Sequence, residues 1–153
     1  MESINPRLYD DIVRTETQLL DILKQEWDAH GYVKVKPENF RIARTVVQPL
    51  ELPAVVVHIR NVQLRYYLGA VLPILEGSTY AVLPYRGTPQ AIKDLWTLGS
   101  RISGILTKYA NTELWSDLTV TGVSIDRGEG SPPRWESVGV QWTLKLPVRQ
   151  FLP

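Results

Sequence analysis

The strongest constraint on this chain lies near its end. From Trp135 to Val148 the residues alternate, with Val138, Val140, Trp142, Leu144, Leu146 and Val148 on one side and Gly139, Gln141, Thr143 and Lys145 on the other. Successive strand residues point to opposite faces, so the pattern commits the segment to a sheet with one face in a core. A slip of one residue would turn the whole apolar set outward, which fixes the register. Leu118 to Asp126 reads as the strand's hairpin partner. The residues between them, Arg127-Gly128-Glu129-Gly130-Ser131-Pro132-Pro133-Arg134, exceed a tight turn and are too rich in Gly and Pro to hold a strand. They predict a projecting, mobile loop at 127–134.

Two helices have clear signals. Thr88 is the N-cap and Pro89 the first residue of one, with Ile92, Leu95, Gly99, Ile102, Leu106 and Tyr109 along a face that Trp96 and Ile105 widen. Gly99 and Gly104 inside this helix predict a close approach to a sheet, since each costs about 1 kcal/mol against Ala. The other helix is predicted over 6–29, capped by Asn5-Pro6, with Leu8, Ile12, Leu19, Leu20, Leu23 and Trp27 inward and Gly31 as its stop. Asp10 and Asp11 suit its positive end, and His30 suits its C-terminal end.

Between the helices, Tyr32 to Lys36 alternates as a strand that ends at Pro37, and 38–53 reads as a crossing loop or short strand pieces. Ala54 to Val62 opens with Val55-Val56-Val57, typical of a strand buried on both faces, and Asn61 to Tyr67 continues it or turns into a partner. Leu68 to Leu75 is interrupted by Gly69 and Pro73, and Tyr80 to Leu83 is a short strand stopped by Pro84. The sum is one α+β domain over 1–153, a mixed, largely antiparallel β-sheet packed against two main α-helices.

Composition excludes several functions. No Cys and two His leave no thiol nucleophile, no disulfide framework and no Cys- or multi-His metal site. No loop matches a phosphate-binding fingerprint, so no cofactor is expected. His58, alternating with Val57 and Ile59, reads as a structural strand residue more readily than a catalytic base. Asp10-Asp11 point in different directions, and Glu113 and Asp117 flank Trp115 in a loop, neither a specific metal pattern. The chain has neither the leading pattern of a signal peptide nor the ~20-residue apolar run of a membrane span, and is expected to be soluble and made in the cytoplasm.

The net charge of +1 argues against a strongly basic nucleic-acid binder. Charge is uneven: residues 1–30 carry three Lys/Arg against seven Asp/Glu, and 31–65 carry six against two, which allows pairing within a chain or between copies. Five Trp stand out. Trp27, Trp96 and Trp142 fall in core patterns, whereas Trp115 and Trp135 lie in or beside loops and are candidates for contact with another subunit. Arg60, Arg65, Tyr66 and Tyr67 bring basic and aromatic residues together, as an interface or a single-strand nucleic-acid platform does.

The layout resembles the tail terminator (tail completion) proteins of long-tailed bacteriophages. The helix from Asp11 to Trp27 resembles their leading helix, and Leu52-Pro53-Ala54-Val55-Val56-Val57 their early strand. Pro89-Gln90-Ala91-Ile92-Lys93-Asp94-Leu95 through Leu106 resembles their middle helix. Leu118-Thr119-Val120-Thr121-Gly122-Val123 with Val138-Gly139-Val140-Gln141-Trp142-Thr143-Leu144 resembles their closing hairpin. Other phage neck, minor tail and baseplate proteins share much of this layout.

The resemblance implies a non-enzymatic virion protein whose copies form a ring, usually of six, on the last ring of the tail tube. Such a ring stops tube growth and offers a face to the head–tail connector or stopper, with the sheath a further neighbour. DNA would pass through the lumen without specific binding, which near-neutral charge suits. The expected contact residues are Arg60, Arg65, Tyr66, Tyr67, Trp115, Arg127, Glu129, Arg134 and Trp135. A single-strand nucleic-acid-binding module is the reading from another class, and a hydrolase or transferase using His58 is third.

Overall fold

The computed structural model of the protein describes residues 4–28, 33–43 and 51–150. Helix α1 spans Ile4–Trp27, and a single 3₁₀ turn covers Pro37–Asn39. Strands β1 (Phe40–Ile42), β2 (Ala54–Tyr67) and β3 (Ala70–Pro84) follow, then helix α2 (Pro89–Lys108) and strands β4 (Ser116–Arg127), β5 (Trp135–Lys145) and β6 (Arg149–Gln150). The strands form one sheet in the order β1-β2-β3-β5-β4, with β6 pairing the start of β3. β1 runs parallel to β2, and every other pairing is antiparallel. The fold is thus a single-domain α+β structure with a mixed sheet packed against its helices.

Trp142 stands at the centre of the core. Its indole covers Gly77 on the neighbouring strand, where a Cβ would lie 2.6 Å from the ring. The buried indole N–H donates to the Thr79 hydroxyl at 3.1 Å, so its one polar atom is satisfied. Val55, Val57, Leu75, Ala81, Val138, Val140 and Leu144 extend this face, and α1 and α2 cover it with Leu19, Leu23, Trp27, Leu95, Ile102 and Leu106.

The long β3 strand bridges stretches that the sequence divides. Gly77 and Ser78 resemble a turn locally, yet both are buried in mid-strand because Trp142 needs the space over Gly77. Pro73 sets the end of β5. Ile74 pairs with Lys145, so the next position brings Pro73 opposite Leu146. Pro73 has no N–H to give and only accepts from the Leu146 N–H at 2.9 Å. The strand therefore ends at Lys145; Leu146 is still buried in the core as its alternation implies, whereas Val148 is exposed.

Other expectations are corrected. α1 begins at Ile4, which puts Pro6 inside its first turn and Asp10 and Asp11 beyond it. Asp11 pairs instead with Arg149, tying α1 to β6. Residues 33–36 form no strand, because the Val33 carbonyl is taken by the Trp27 indole N–H at 2.7 Å. Tyr32, Gly31, His30 and 44–50 lie outside the described residues. Thr88 caps α2 as expected, its hydroxyl accepting from the Ala91 N–H at 3.1 Å. Trp96 is half-exposed rather than core, since the buried arc runs through Ala91, Leu95, Leu98 and Ile102, and one residue past Leu95 turns about 100° away.

The two glycines of α2 differ. A Cβ at Gly99 would meet Val138 Cγ2 at 2.7 Å and Val123 Cγ1 at 2.9 Å, whereas nothing lies within 4 Å at Gly104. Gly104→Ala is expected to stabilise by about 1 kcal/mol from helix propensity. Gly99→Ala gains the same propensity but overlaps two stiff β-branched side chains, for a net loss of about 1–2 kcal/mol. Urea midpoints that move in opposite directions check both.

The C-terminal end of α2 is held to α1 through Glu26, whose carboxylate accepts from Lys108 Nζ at 2.9 Å and the Tyr109 hydroxyl at 2.6 Å. Both hydrogen bonds raise the donor's pKa. A raised folded-state pKa means that each contribution is complete at neutral pH and is lost as pH climbs through the folded value. The stability advantage of the native protein over Glu26→Gln is therefore expected to shrink above about pH 10, measured by denaturation across an alkaline series.

Candidate assembly surfaces

β2 and β3 are longer than the strands that flank them. β1 pairs only with Val55–Val57 of β2, and β5 reaches no further along β3 than Ile74. Beyond Gln63 and Ile74, which pair with each other, β2 and β3 continue as a two-stranded arm, flanked only by the two-residue β6. The arm ends in a Leu68-Gly69 turn with φ of 41° and 84°. Positive φ at both central positions suits the twist of a hairpin and favours Asn or Gly in place of a branched apolar residue. Leu68 is fully exposed there, next to Tyr66 at 61% and Tyr67 at 54% exposure. An apolar side chain held in an unfavourable backbone region, wholly in water, is the least economical feature of the fold.

The arm holds Arg65, Tyr66 and Tyr67 of the residues singled out in the sequence but divides them between faces, while Arg60 lies below it, at the height of Gly77 and Trp142. Arg65 and Tyr67 pair with Leu72 and Ala70 on the face away from the helices, while Tyr66 pairs with Val71 on the other. Arg60 sits in a β-bulge between Ile59 and Asn61. The two tyrosines therefore form no common stacking platform. On the open face, Arg65, Glu76, Asp117 and Lys145 border a shallow depression of about 470 Å³. Its charges are partly matched, with Lys145 on Asp117 at 3.0 Å and Asn61 donating to Glu76 at 3.3 Å.

A second cluster lies at the other end of β3, where Pro84 pairs with Trp135. Arg127 closes β4 with its guanidinium 5.6 Å from the Tyr85 ring centre. Glu129 and Arg134 are exposed on the loop 128–134. The loop's two ends are fastened: Gly128 donates to the Trp135 carbonyl at 3.0 Å, and Tyr85 donates to that of Arg134 at 3.2 Å. Trp135, half-buried, lies over Gly128 so closely that a Cβ there would be 2.5 Å from the indole nitrogen. With β3 fifteen residues long, about 45–50 Å separates the two clusters.

Trp115 belongs to neither. It is 2% exposed, and its indole N–H donates to the Tyr109 carbonyl at 2.9 Å, so it packs the α2–β4 connection and offers no side chain to a partner. His58 is held at the edge of the sheet, its Nδ1 3.3 Å from the Ala43 carbonyl. Sequence reasoning missed Glu136, which is fully buried with one carboxylate oxygen accepting from the Arg86 N–H at 3.1 Å. Its signal was available, since Glu136 is in phase with Val138 and Val140 on the buried side of the strand. Arg86 also reaches Asp94 at 3.0 Å, and hydrogen bonds from Gln90 and Arg86 lower the pKa of the Asp94 carboxyl. Together these contacts fix the connection into α2.

No protein-family model matches this chain, and no curated protein matches it.

Relieving the turn tests whether its apolar tip costs stability. Leu68→Asn is expected to raise stability by about 1 kcal/mol, the scale of the left-handed penalty for a residue with a Cβ. A urea midpoint that rises with an unchanged slope is the check.

Proposed function

We propose that this protein is a structural subunit of a long-tailed bacteriophage virion, a tail terminator that acts as a ring without catalysis. The resemblance of the chain's layout to that family supplies the ring, its usual hexameric count and its neighbours. The observation that carries the reading is the separation of the two candidate clusters to opposite ends of β3. A part that joins a tube to a connector needs contacts above and below it on a rigid body, and a continuous strand is such a body. One end presents Tyr66, Tyr67 and Leu68, and the other presents Arg127, Glu129, Arg134 and Trp135. In this reading the tube protein meets one end, the connector or stopper meets the other, a sheath where present lies outside, and DNA threads the lumen.

The test uses cognate tube protein polymerising with the protein present, followed by electron microscopy of tube lengths and by joining to connector-bearing heads. Native protein should fix tube length and permit joining. Tyr66→Ser/Tyr67→Ser/Leu68→Asn and Glu129→Lys/Arg134→Glu should fail at different joints, one leaving tubes uncapped and the other capping tubes that no head accepts. If both variants behave as the native protein does, the two-ended reading is wrong. If native protein never arrests tube growth but still joins heads, the subunit is another neck protein.

A further inference from the structure

We propose that copies of this chain associate head to tail by continuing the sheet, the outer edge of β4 of one copy pairing antiparallel with the unpaired edge of β2, from His58 onward, of the next. The contact is argued from the sheet alone, and only its closure into a ring rests on the function proposed above. Among the described residues, β4 has a partner on one side only, and β2 has none outside Val55–Val57 on its outer side. Two unpaired edges of this length are templates for another strand. Their directions agree: β2 and β5 run one way, β3 and β4 the other. A copy related by rotation about an axis along the strands therefore sets its β2 antiparallel to β4.

Height and charge agree as well. Thr119 is level with Thr143, Glu76 and Asn61 across the sheet, and Ser116 with Lys145, Ile74 and Gln63, so His58 to Gln63 of β2 faces the first half of a neighbouring β4 at equal height. Both edges are bulged close to that level, β2 at Arg60 and β4 between Val120 and Gly122. Bulges bend and twist a strand, so edges bent at one height stay alongside each other, whereas a regular foreign strand fits neither. The β2 edge carries Arg60 and Arg65, exposed and without an ion-pair partner among the described residues. β4 carries exposed Asp117, also in contact with Lys145, at a height between Asn61 and Gln63 and so between the two arginines. A two-fold pairing of β4 with β4, or β2 with β2, sets like charges together. Head-to-tail pairing sets opposite charges together and is the kind that closes into rings.

Charge reversal on each edge provides the test. Thr119→Lys/Thr121→Lys makes the β4 edge basic, and Gln63→Asp/Arg65→Asp makes the β2 edge acidic; all four positions are exposed. Native protein is expected to form a closed multimer in a concentration series of native mass. Each variant alone should fall to the single-chain mass of 17.4 kDa with unchanged circular dichroism. An equimolar mixture should recover the multimer, because every contact then joins opposite charges. The proposal is overturned if native protein stays monomeric at every concentration, if either variant alone keeps the native mass, or if the mixture stays monomeric. Should a double variant unfold, Thr119→Lys and Arg65→Asp carry the same comparison singly. Multimers that form and exchange in this way but never arrest tubes sustain the edge contact and remove the terminator reading.

Discussion

Trp142 lies in the space that a side chain at Gly77 would need, and the sheet is organised around that contact. The indole cannot sit over β3 unless Gly77 is beneath it. Once it does, it joins the centre of β5 to the centre of β3 and sets the height at which α1 and α2 close over the sheet. β3 then runs on in both directions as one strand. At one end it feeds α2 through the Glu136–Arg86–Asp94 contacts. At the other it outruns β1 and β5 and becomes the arm. Rigidity below and exposure above follow from one strand outlasting those beside it.

Much of this was legible in the sequence because it is local. Thr88-Pro89 announces α2, and the alternation from Trp135 places Val138, Val140, Trp142 and Leu144 in the core. Gly99 reads correctly as a point of close approach, its absent Cβ making room for Val123 and Val138. The failures come from partners distant in sequence. Leu68–Leu75 and Tyr80–Leu83 read as separate stretches until Trp142 supplies a reason for the Gly77 between them, and Pro73 truncates β5 from seventy residues away. Trp115 resembles a loop anchor, yet the Tyr109 carbonyl draws it inward. The cluster from Arg60 to Tyr67 was visible as composition, but which of its side chains share a face depends on the bulge at Arg60, which no local pattern fixes.

The stability of the fold and the form of its surface pull in different directions at the arm. A hairpin turn of Asn-Gly would be easier to form than Leu68-Gly69, and polar residues would solvate better than Tyr66 and Tyr67. A domain selected for stability alone has no use for these choices. The bulges have a similar character. They weaken β4 as a strand, yet they also guard a long free edge against indiscriminate pairing, since only a partner bent at the same height can follow it.

The distribution of ion pairs points the same way. Glu26 is met by Lys108, Asp11 by Arg149, Asp94 by Arg86 and Asp117 by Lys145, so the domain compensates charges across its helices and along its open face. Arg60 and Arg65 stand outside that scheme. Exposed cations of this kind cost little in water and contribute little to folding. Their placement matters in a different process: on a free edge they bias which strand approaches and from which side, and a screened interaction of that sort acts on encounter and register more than on affinity. Apolar contact at the tip can supply affinity but is non-directional. A strand that combines fixed charges along its edge with an apolar tip separates choosing a neighbour from holding one, and a subunit with a different neighbour on each side needs both.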